Sequence, residues 1–440
     1  MSNKLKIPIF VLSVLTLGAC DTFLGVRGKT PLPGKRISIL AHESTLTPDA
    51  AESEKKILLP APTPNAEWPQ AGGFANHAMH HIRVSGSMKE SWSTSIGSGT
   101  DDEDRLMAQP VLADGKIFTM DSETVVSAFN AKTGDELWSV DLTPDEEDDD
   151  HINGGLVYEG GRVYASTGFG QVIAINAKDG KVKWRRAVGS PMRSAPTARG
   201  NRIFVITLTN KLLALNGDTG HVLWTHSGIE ETTNLLGGGS PAVDGGVVVA
   251  PYSSGEIVAL KIENGQELWS ESLAGVNRAS ASATLSTIRG RPIIDRGVVY
   301  AISNSSQFTA INLRSGRRIW ERQIGGIESP WIAGDYLFAI TNNSELLAVG
   351  RLNGRIHWVT SLPHWEDPEE RQNRINWTGP VLTSDRLIVA GSTGEALSIS
   401  PYSGRILGKV EMPDAVAISP IVALDTIFFL SEDAELVAYR

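Results

Sequence analysis

Short runs of alternating apolar and polar residues, separated by glycine-containing turns, fill most of the chain after residue 108. The stretch QVIAINAKDGKVKW, residues 171–184, contains two such runs on either side of Gly180. Alternation places successive side chains on opposite faces of a strand, and a turn with glycine between two strands indicates a hairpin. No copy of this pattern has apolar residues at the helical spacing of three to four over a stretch long enough to indicate an α-helix. The pattern therefore predicts β-hairpins.

The same hairpin is repeated along the chain. In each of six copies an alanine stands ten residues before a tryptophan and a glycine four residues before it. The copies end at Trp138, Trp184, Trp224, Trp269, Trp320 and Trp358. A seventh copy has Gly408 in place of the tryptophan. A period of about 40 to 50 residues, with four short strands in each unit, predicts a β-propeller built from four-stranded antiparallel blades.

Counting the units predicts eight blades. An eighth unit begins near Ile418 and includes Ala438, but the chain stops at Arg440, one strand short. Trp92 stands 46 residues before Trp138, the same spacing as between Trp138 and Trp184. We therefore expect an N-terminal strand around Trp92 to complete the last blade, which leaves no open sheet edge in the ring. The fold class is all-β, an eight-bladed propeller over residues 67–440.

The first 66 residues have a different pattern. Lys4 and Lys6 precede an apolar stretch, residues 7–17, that is too short to span a bilayer. The following Leu-Gly-Ala-Cys ends at Cys20, the only cysteine in the chain, and resembles a bacterial lipobox. This predicts a lipoprotein signal peptide at residues 1–19, a lipid anchor on Cys20 and a flexible, proline-punctuated linker through residue 66.

Charge and histidine content narrow the possible ligands. The net charge is −10, and the basic residues are dispersed, which argues against nucleic acid as a partner. His77, His80 and His81 lie close together, but no Cys, Asp or Glu accompanies them. Metal sites need convergent ligands, so this cluster is interpreted as a surface segment. We predict neither a metal nor a cofactor.

The lengths of the predicted turns distinguish two faces of the ring. Turns within the hairpins are tight, whereas the connections between blades are long and irregular and lie on the opposite face. Functional residues concentrate on such loops. One connection has an apolar tip at Leu235 and Leu236, and the next contains Leu285, Ile288 and Arg289. The leucine tip is either a local packing element or an exposed anchor for a partner.

The repeat, the Trp68-Pro69-x-x-Gly72-Gly73 motif and the lipobox together resemble the outer-membrane protein assembly factor BamB family. The resemblance implies a non-catalytic scaffold lipoprotein of the β-barrel assembly machinery, anchored in the outer membrane at its periplasmic face. Its implied partners are the periplasmic domains of BamA, other Bam subunits and nascent outer-membrane β-barrel proteins. Asp21, directly after Cys20, is a residue that in enteric bacteria disfavours transfer to the outer membrane.

The resemblance also implies a partner-binding site. In the family two neighbouring connections contact BamA, one apolar with a basic residue and the other acidic. Leu235 and Leu236 match the apolar part of the first, but Gly237 stands where the basic residue is expected. Leu285, Ile288 and Arg289 belong to the second connection, where Thr287 and Arg289 replace the expected carboxylates.

Two other functions are compatible with the repeat. Quinone-dependent dehydrogenases share it, but the pair of adjacent cysteines that they often carry cannot exist in a chain with Cys20 alone. A carbohydrate-binding propeller would expose aromatic residues on the loop-bearing face, for which Trp331, Trp365 and Trp377 are candidates.

Overall fold

The computed structural model describes residues 46–86, 88–145, 152–275 and 285–440. Eight four-stranded antiparallel sheets form these residues into an eight-bladed β-propeller, as the repeat predicts. The described part of the chain holds one short α-helix, α1 (Ala50–Ser53), and no helix in it is long and apolar enough to cross a membrane. Residues 1–45, which include the predicted signal peptide and Cys20, lie outside the described residues.

The strands are numbered along the chain, and each blade is numbered in ring order. The first strand of the ring is β1 (Glu90–Ser95). Blades 1 and 2 comprise β2 (Val111–Ala113), β3 (Lys116–Met120), β4 (Val125–Asn130), β5 (Glu136–Asp141), β6 (Gly155–Glu159), β7 (Arg162–Ser166), β8 (Gln171–Asn176) and β9 (Val182–Ala187). Blades 3 and 4 comprise β10 (Thr197–Ala198), β11 (Arg202–Ile206), β12 (Lys211–Asn216), β13 (Val222–Ser227), β14 (Ala242–Asp244), β15 (Val247–Pro251), β16 (Glu256–Lys261) and β17 (Glu267–Ser272).

Blades 5 to 8 follow the same plan, with one small hairpin inserted between blades 6 and 7. Blades 5 and 6 comprise β18 (Ile293–Asp295), β19 (Val298–Ser303), β20 (Gln307–Asn312), β21 (Arg318–Arg322), β22 (Trp331–Ala333), β23 (Tyr336–Ile340), β24 (Glu345–Gly350) and β25 (Ile356–Ser361). The inserted hairpin is β26 (Trp365–Asp367) and β27 (Gln372–Arg374). Blades 7 and 8 comprise β28 (Trp377–Thr383), β29 (Arg386–Gly391), β30 (Glu395–Ile399), β31 (Ile406–Glu411), β32 (Ile421–Ala423), β33 (Thr426–Leu430) and β34 (Glu435–Tyr439), with β1 as the outer strand of blade 8.

Burial changes from the inner to the outer strand of each blade. In blade 2 the four central residues of β8 are fully buried, because both faces of the strand are covered by neighbouring blades. The outer strand β9 alternates between exposed and partly buried residues. The first strands of neighbouring blades contact one another around the central channel. The core is therefore a set of apolar layers between blades rather than one central cluster.

Blade 8 is assembled from both ends of the ring. β1 pairs antiparallel with β34, with Trp92 opposite Ala438, while β32, β33 and β34 come from the end of the chain. Trp92 thus occupies the position that Trp138 holds opposite Ala128 in blade 1.

Each repeat tryptophan packs against the next blade. A Cβ added at Gly220 would lie 2.6 Å from Cε3 of Trp184, so only glycine fits beneath the indole. The Nε1–H of Trp184 donates a 3.0 Å hydrogen bond to the Gly217 carbonyl of the same turn. Equivalent contacts join Trp92 to Gly134, Trp138 to Gly180, Trp224 to Gly265, Trp269 to Gly316, Trp320 to Gly354 and Trp358 to Gly404. The repeated spacing of tryptophan and glycine along the chain therefore encodes the contact between blades.

This contact explains why the seventh repeat lacks its tryptophan. A tryptophan at position 408 would pack on the turn between the third and fourth strands of blade 8. Blade 8 has no such turn, because β34 and β1 come from opposite ends of the ring. Gly408 is exposed, and a Cβ added there would meet no atom within 4 Å.

A segment before β1, residues 65–82, follows the ring once around and is here called the plug. It bonds to the first strand, or to the residue next to it, in all eight blades. The contacts join Asn65 to Val422, Trp68 to Leu112, Pro69 to Tyr158, Gln70 to Ala198, Ala75 to Val243, Asn76 to Ile294, His80 to Trp331 and Ile82 to Ser384. All of them lie at the end of the channel where the tight turns are found. This end is called the turn face, and the opposite end, which carries the blade connections, is called the loop face.

Residues 46–57 differ from the predicted linker. The Asp49 N–H donates to the Ile356 carbonyl (2.9 Å), and the Ile356 N–H donates to the Asp49 carboxylate (2.7 Å). A Glu52 carboxylate oxygen lies 3.5 Å from Nε2 of His357, and Ile57 is buried. This segment therefore lies along the outer strand of blade 6. Proline content alone cannot show this, because the contacts are made to residues about three hundred positions away.

Candidate partner-binding site

The blade connections meet at the loop-face mouth of the central channel. They surround a cavity of about 210 Å³, whose lining includes Met107, Leu236, Arg289, Glu328 and Ile418. These five residues come from five different connections, so the site exists only because the ring brings distant segments together. The plug closes the channel from the turn face, and the cavity is therefore a blind pit.

The two leucines of the candidate site lie at this mouth. Leu236 lines the cavity and is 40% exposed, while Leu235 is half-buried. In the next connection Leu285 is also half-buried. Ile288 is only 1% exposed and packs in the core between blades 4 and 5, with Trp269 and Ala301 among its cluster. In this conformation Ile288 supports the loop rather than presenting a surface to a partner.

Gly237 and Arg289 meet across the two connections. A Cβ added at Gly237 would lie 3.2 Å from Nε of Arg289 and 2.8 Å from Cε of Met107. Gly237 also has a φ of +83°, which glycine adopts without strain. The guanidinium of Arg289 thus lies beside the position where the family resemblance implies a basic side chain. A positive charge is therefore present beside the implied position, but Arg289 provides it from the neighbouring connection.

Glu328 is paired with Arg289 at the floor of the pit, and its charge also acts on Arg291. Glu328 lies 3.7 Å from Nη1 of Arg289 and accepts a 3.0 Å hydrogen bond from the Thr378 hydroxyl. Nε of Arg291 is buried and has no hydrogen-bond partner among the described residues. Burial lowers the pKa of Arg291 to about 10, and the like charge of Arg289 acts in the same direction while Glu328 opposes it. Arg291 remains a cation at neutral pH.

The histidine cluster belongs to the plug, and the surface interpretation is wrong for two of its members. His77 and His81 are buried, whereas the His80 side chain is 40% exposed. Nδ1 of His77 lies 2.8 Å from the Pro292 carbonyl, and Nδ1 of His81 lies 2.6 Å from the Pro60 carbonyl. Within the described ranges no group of three His, Cys, Asp or Glu side chains could hold a metal ion.

The aromatic residues considered for carbohydrate binding are largely packed. Trp331 stacks on Trp68 of the plug at 6.2 Å between ring centroids and is 8% exposed. Trp377 is 6% exposed, and its Nε1–H donates to the Pro363 carbonyl. Trp365 is half-buried in the inserted hairpin. Neither Trp331 nor Trp377 presents an open stacking surface.

The sequence profile described as "Outer membrane protein assembly factor BamB" matches residues 121–360, more than half of the chain. The chain belongs to the BamB family. A relative of that description from Yersinia pestis is 28% identical over 355 residues, which cover 79% of this chain and 88% of the relative.

Solved structures show the same fold in proteins of different function. BamB from Moraxella catarrhalis has a TM-score of 0.67 at 18% identity, and the match covers 80% of this chain and 100% of that one. Quinohemoprotein alcohol dehydrogenase from Comamonas testosteroni has a TM-score of 0.63 at 13% identity, covering 85% of this chain and 80% of that one. Because an enzyme shares the architecture, the fold alone does not determine function in this BamB-family chain.

Sequence analysis did not identify Glu328, Arg291 or Met107 as part of the site. Arg291 carries a weak signal, since it follows Arg289 by two residues just before β18. Glu328 lies in a connection with no distinctive motif, and the acidic run at residues 101–104 does not mark Met107 as part of a site. Their role depends on the radial arrangement of the loops.

Proposed function

We propose that this chain is a non-catalytic scaffold lipoprotein of the β-barrel assembly machinery that binds the periplasmic domains of BamA through its loop face. The supporting observation is the meeting of Leu236, Gly237 and Arg289 at the channel mouth. Membership in the BamB family supports the choice of partner, and the geometry supports the choice of surface. Leu235 directly precedes Leu236, and Leu285 and the buried Ile288 belong to the same connection as Arg289.

The proposed surface has the chemical character of a protein-binding hot spot. A partly exposed leucine beside a charged group combines apolar contact area with an orienting interaction. The only ion pair of Arg289 with a described residue is the 3.7 Å contact with Glu328, longer than a good charge-assisted hydrogen bond. Arg289 can therefore interact with a carboxylate on the partner as well as with Glu328.

The test is capture of purified BamA periplasmic domains by the wild-type chain and by variants. The double substitution Leu235→Asp with Leu236→Asp should abolish capture, because it places two charges in an apolar contact. Arg289→Glu should weaken capture, and the loss should depend on salt. Leu352→Asp is the matched control, since Leu352 is 75% exposed on a turn-face hairpin. If the folded double variant binds as well as the control, the proposed surface is wrong.

We further propose that lipidation of Cys20 holds the chain at the periplasmic face of the outer membrane. Cys20 lies outside the described residues, so the support is the lipobox in the sequence. Cys20→Ser should release a folded chain into the soluble periplasmic fraction, because the acyl chains provide the membrane affinity. Fractionation in cells depleted of BamA measures this without the partner. Retention of the variant in the membrane fraction would contradict the proposal.

A further inference from the structure

The blind pit combines an apolar wall with a cationic floor. Leu106, Met107, Leu236 and Ile418 line it on the apolar side. Gln109 also lines the pit, but its amide already accepts from the Gly72 N–H (2.7 Å) and donates to the Ser419 carbonyl (2.7 Å). The charged groups that line the pit are the guanidinium groups of Arg105, Arg289 and Arg291 and the carboxylates of Glu328 and Glu432.

The floor carries more positive than negative charge. Three arginines and two carboxylates line the pit, and Arg193 adds a further positive charge in the adjoining part of the cavity. The net charge of the whole chain is −10, so this concentration of cations is local. Arginine presents its donors in a planar fork that matches an oxyanion with two oxygens.

The size of the pit limits the ligand. An engineered cavity of about 150 Å³ in another protein accommodates benzene. The pit here, at about 210 Å³, has room for one apolar group of that size together with a carboxylate. A larger rigid ligand would have to extend out through the mouth beside Leu236.

We infer that the pit at the channel mouth binds a carboxylate attached to an apolar group, with the carboxylate on Arg289 and Arg291 and the apolar group against Leu236 and Met107. The source of this chemistry is either a free organic acid or the terminal carboxylate of a polypeptide. The inference goes beyond the proposed function. The site shares Leu236 and Arg289 with the proposed partner surface, but its test requires no partner.

Substitution of Glu328 tests the inference through a gain of affinity, which a misfolded variant would not show. Glu328 is paired with Arg289 in the structure, so it competes with an incoming carboxylate for this arginine. Glu328→Gln removes this competition and keeps an oxygen that can accept from Thr378. The variant should therefore bind a carboxylate more tightly than the wild-type chain. A damaged pit would instead lose affinity.

The experiment is calorimetric titration of the mature chain with 3-phenylpropionate. Its neutral amide, 3-phenylpropionamide, controls for apolar binding and for partition into detergent. The wild-type chain should prefer the acid by at least about tenfold, the effect of one charge-assisted hydrogen bond. Arg289→Gln should remove this preference, and Glu328→Gln should increase it by about tenfold. Arg405→Gln makes the same charge change at an exposed turn-face residue and should leave binding unchanged.

A second arm distinguishes the two sources. The peptide acetyl-Ala-Ala-Leu, with a free or an amidated C-terminus, is titrated under the same conditions. Tighter binding of the free peptide than of 3-phenylpropionate assigns the pit to a chain terminus, and the reverse order assigns it to a free acid. Equal binding of acid and amide by both the wild-type chain and Glu328→Gln would overturn the inference. So would an equal loss in Arg289→Gln and Arg405→Gln, because the effect would then be one of net charge alone.

Discussion

At the scale of single residues, the contact between a tryptophan and a glycine of the next blade determines which side chains are allowed. Trp184 covers Gly220 so closely that a methyl group cannot be added, and Gly220 also has a φ of +68°. Gly408, at a tryptophan position of the repeat, has no such constraint. A glycine at the turn position of the repeat and a glycine at its tryptophan position therefore differ in the side chains that can replace them.

This difference predicts opposite effects for the same substitution. Gly220→Ala should lower the free energy of unfolding by about 1–3 kcal/mol, because the added methyl overpacks the blade contact. Gly408→Ala should leave it unchanged or raise it by about 0.5–1 kcal/mol, because alanine loses less entropy in a strand. Denaturant unfolding of both variants measures the difference. Equal losses would show that the contact does not govern the repeat.

Burial of His77 in the plug makes stability depend on pH. Burial, followed by the charge of Arg291, lowers the pKa of His77 to about 3 from 6.5, although its bond to the Pro292 carbonyl acts in the opposite direction. Between these values the unfolded chain binds a proton that the folded chain does not. The free energy of unfolding therefore falls as pH decreases through this window, by about 1.4 kcal/mol per pH unit from this group.

His77→Asn should remove that contribution, since asparagine can still donate to Pro292 but does not titrate. Unfolding is measured from pH 7 to pH 4 for both chains, and the difference between the two curves isolates His77 from the other titrating groups. We expect the wild-type chain to lose stability faster below pH 6.5. Parallel curves would show that protonation of His77 in the folded chain does not lower the free energy of unfolding.

At the scale of elements, the six-residue strand β1 is important for the stability of the whole ring. It pairs with β34 and places Trp92 against Gly134 of blade 1. Without it, β34 would present an unpaired edge, and blades 8 and 1 would lose their shared tryptophan contact.

Deleting Glu90–Ser95 should abolish cooperative melting and cause aggregation. The inserted hairpin provides the control, because β26 and β27 pair only with each other. Replacing residues 366–373 with a short glycine linker should leave a cooperative transition. Differential scanning calorimetry and light scattering distinguish the two variants. A normal transition after removal of β1 would contradict its role in closing the ring.

The elements also show which features the sequence could predict. The hairpins and the count of eight blades followed from alternation and from the spacing of alanine, glycine and tryptophan. The plug could not be predicted, because it has no strand period and makes one or two bonds with each of eight blades. The meeting of Gly237 with Arg289 was equally hidden. It depends on how two loops 52 residues apart are oriented at the channel mouth.

At the scale of the whole molecule, the ring has two unlike ends. The plug seals the turn face, while the loop face keeps an open pit with Leu236 at its rim. Contact with a partner at the loop face would leave the plug and the blade contacts undisturbed. We therefore propose that partner binding belongs to the loop face, while the plug and the blade contacts stabilise the ring.

Site-specific photocrosslinking in cells tests this assignment most directly. A photoreactive amino acid is placed at Leu236 on the loop face or at Leu352 on the turn face, both of which are exposed. The position 236 variant should crosslink to BamA, and the position 352 variant should not. Adding Arg289→Glu to the first variant should weaken the crosslink. Crosslinking to BamA from position 352 but not from position 236 would contradict the account.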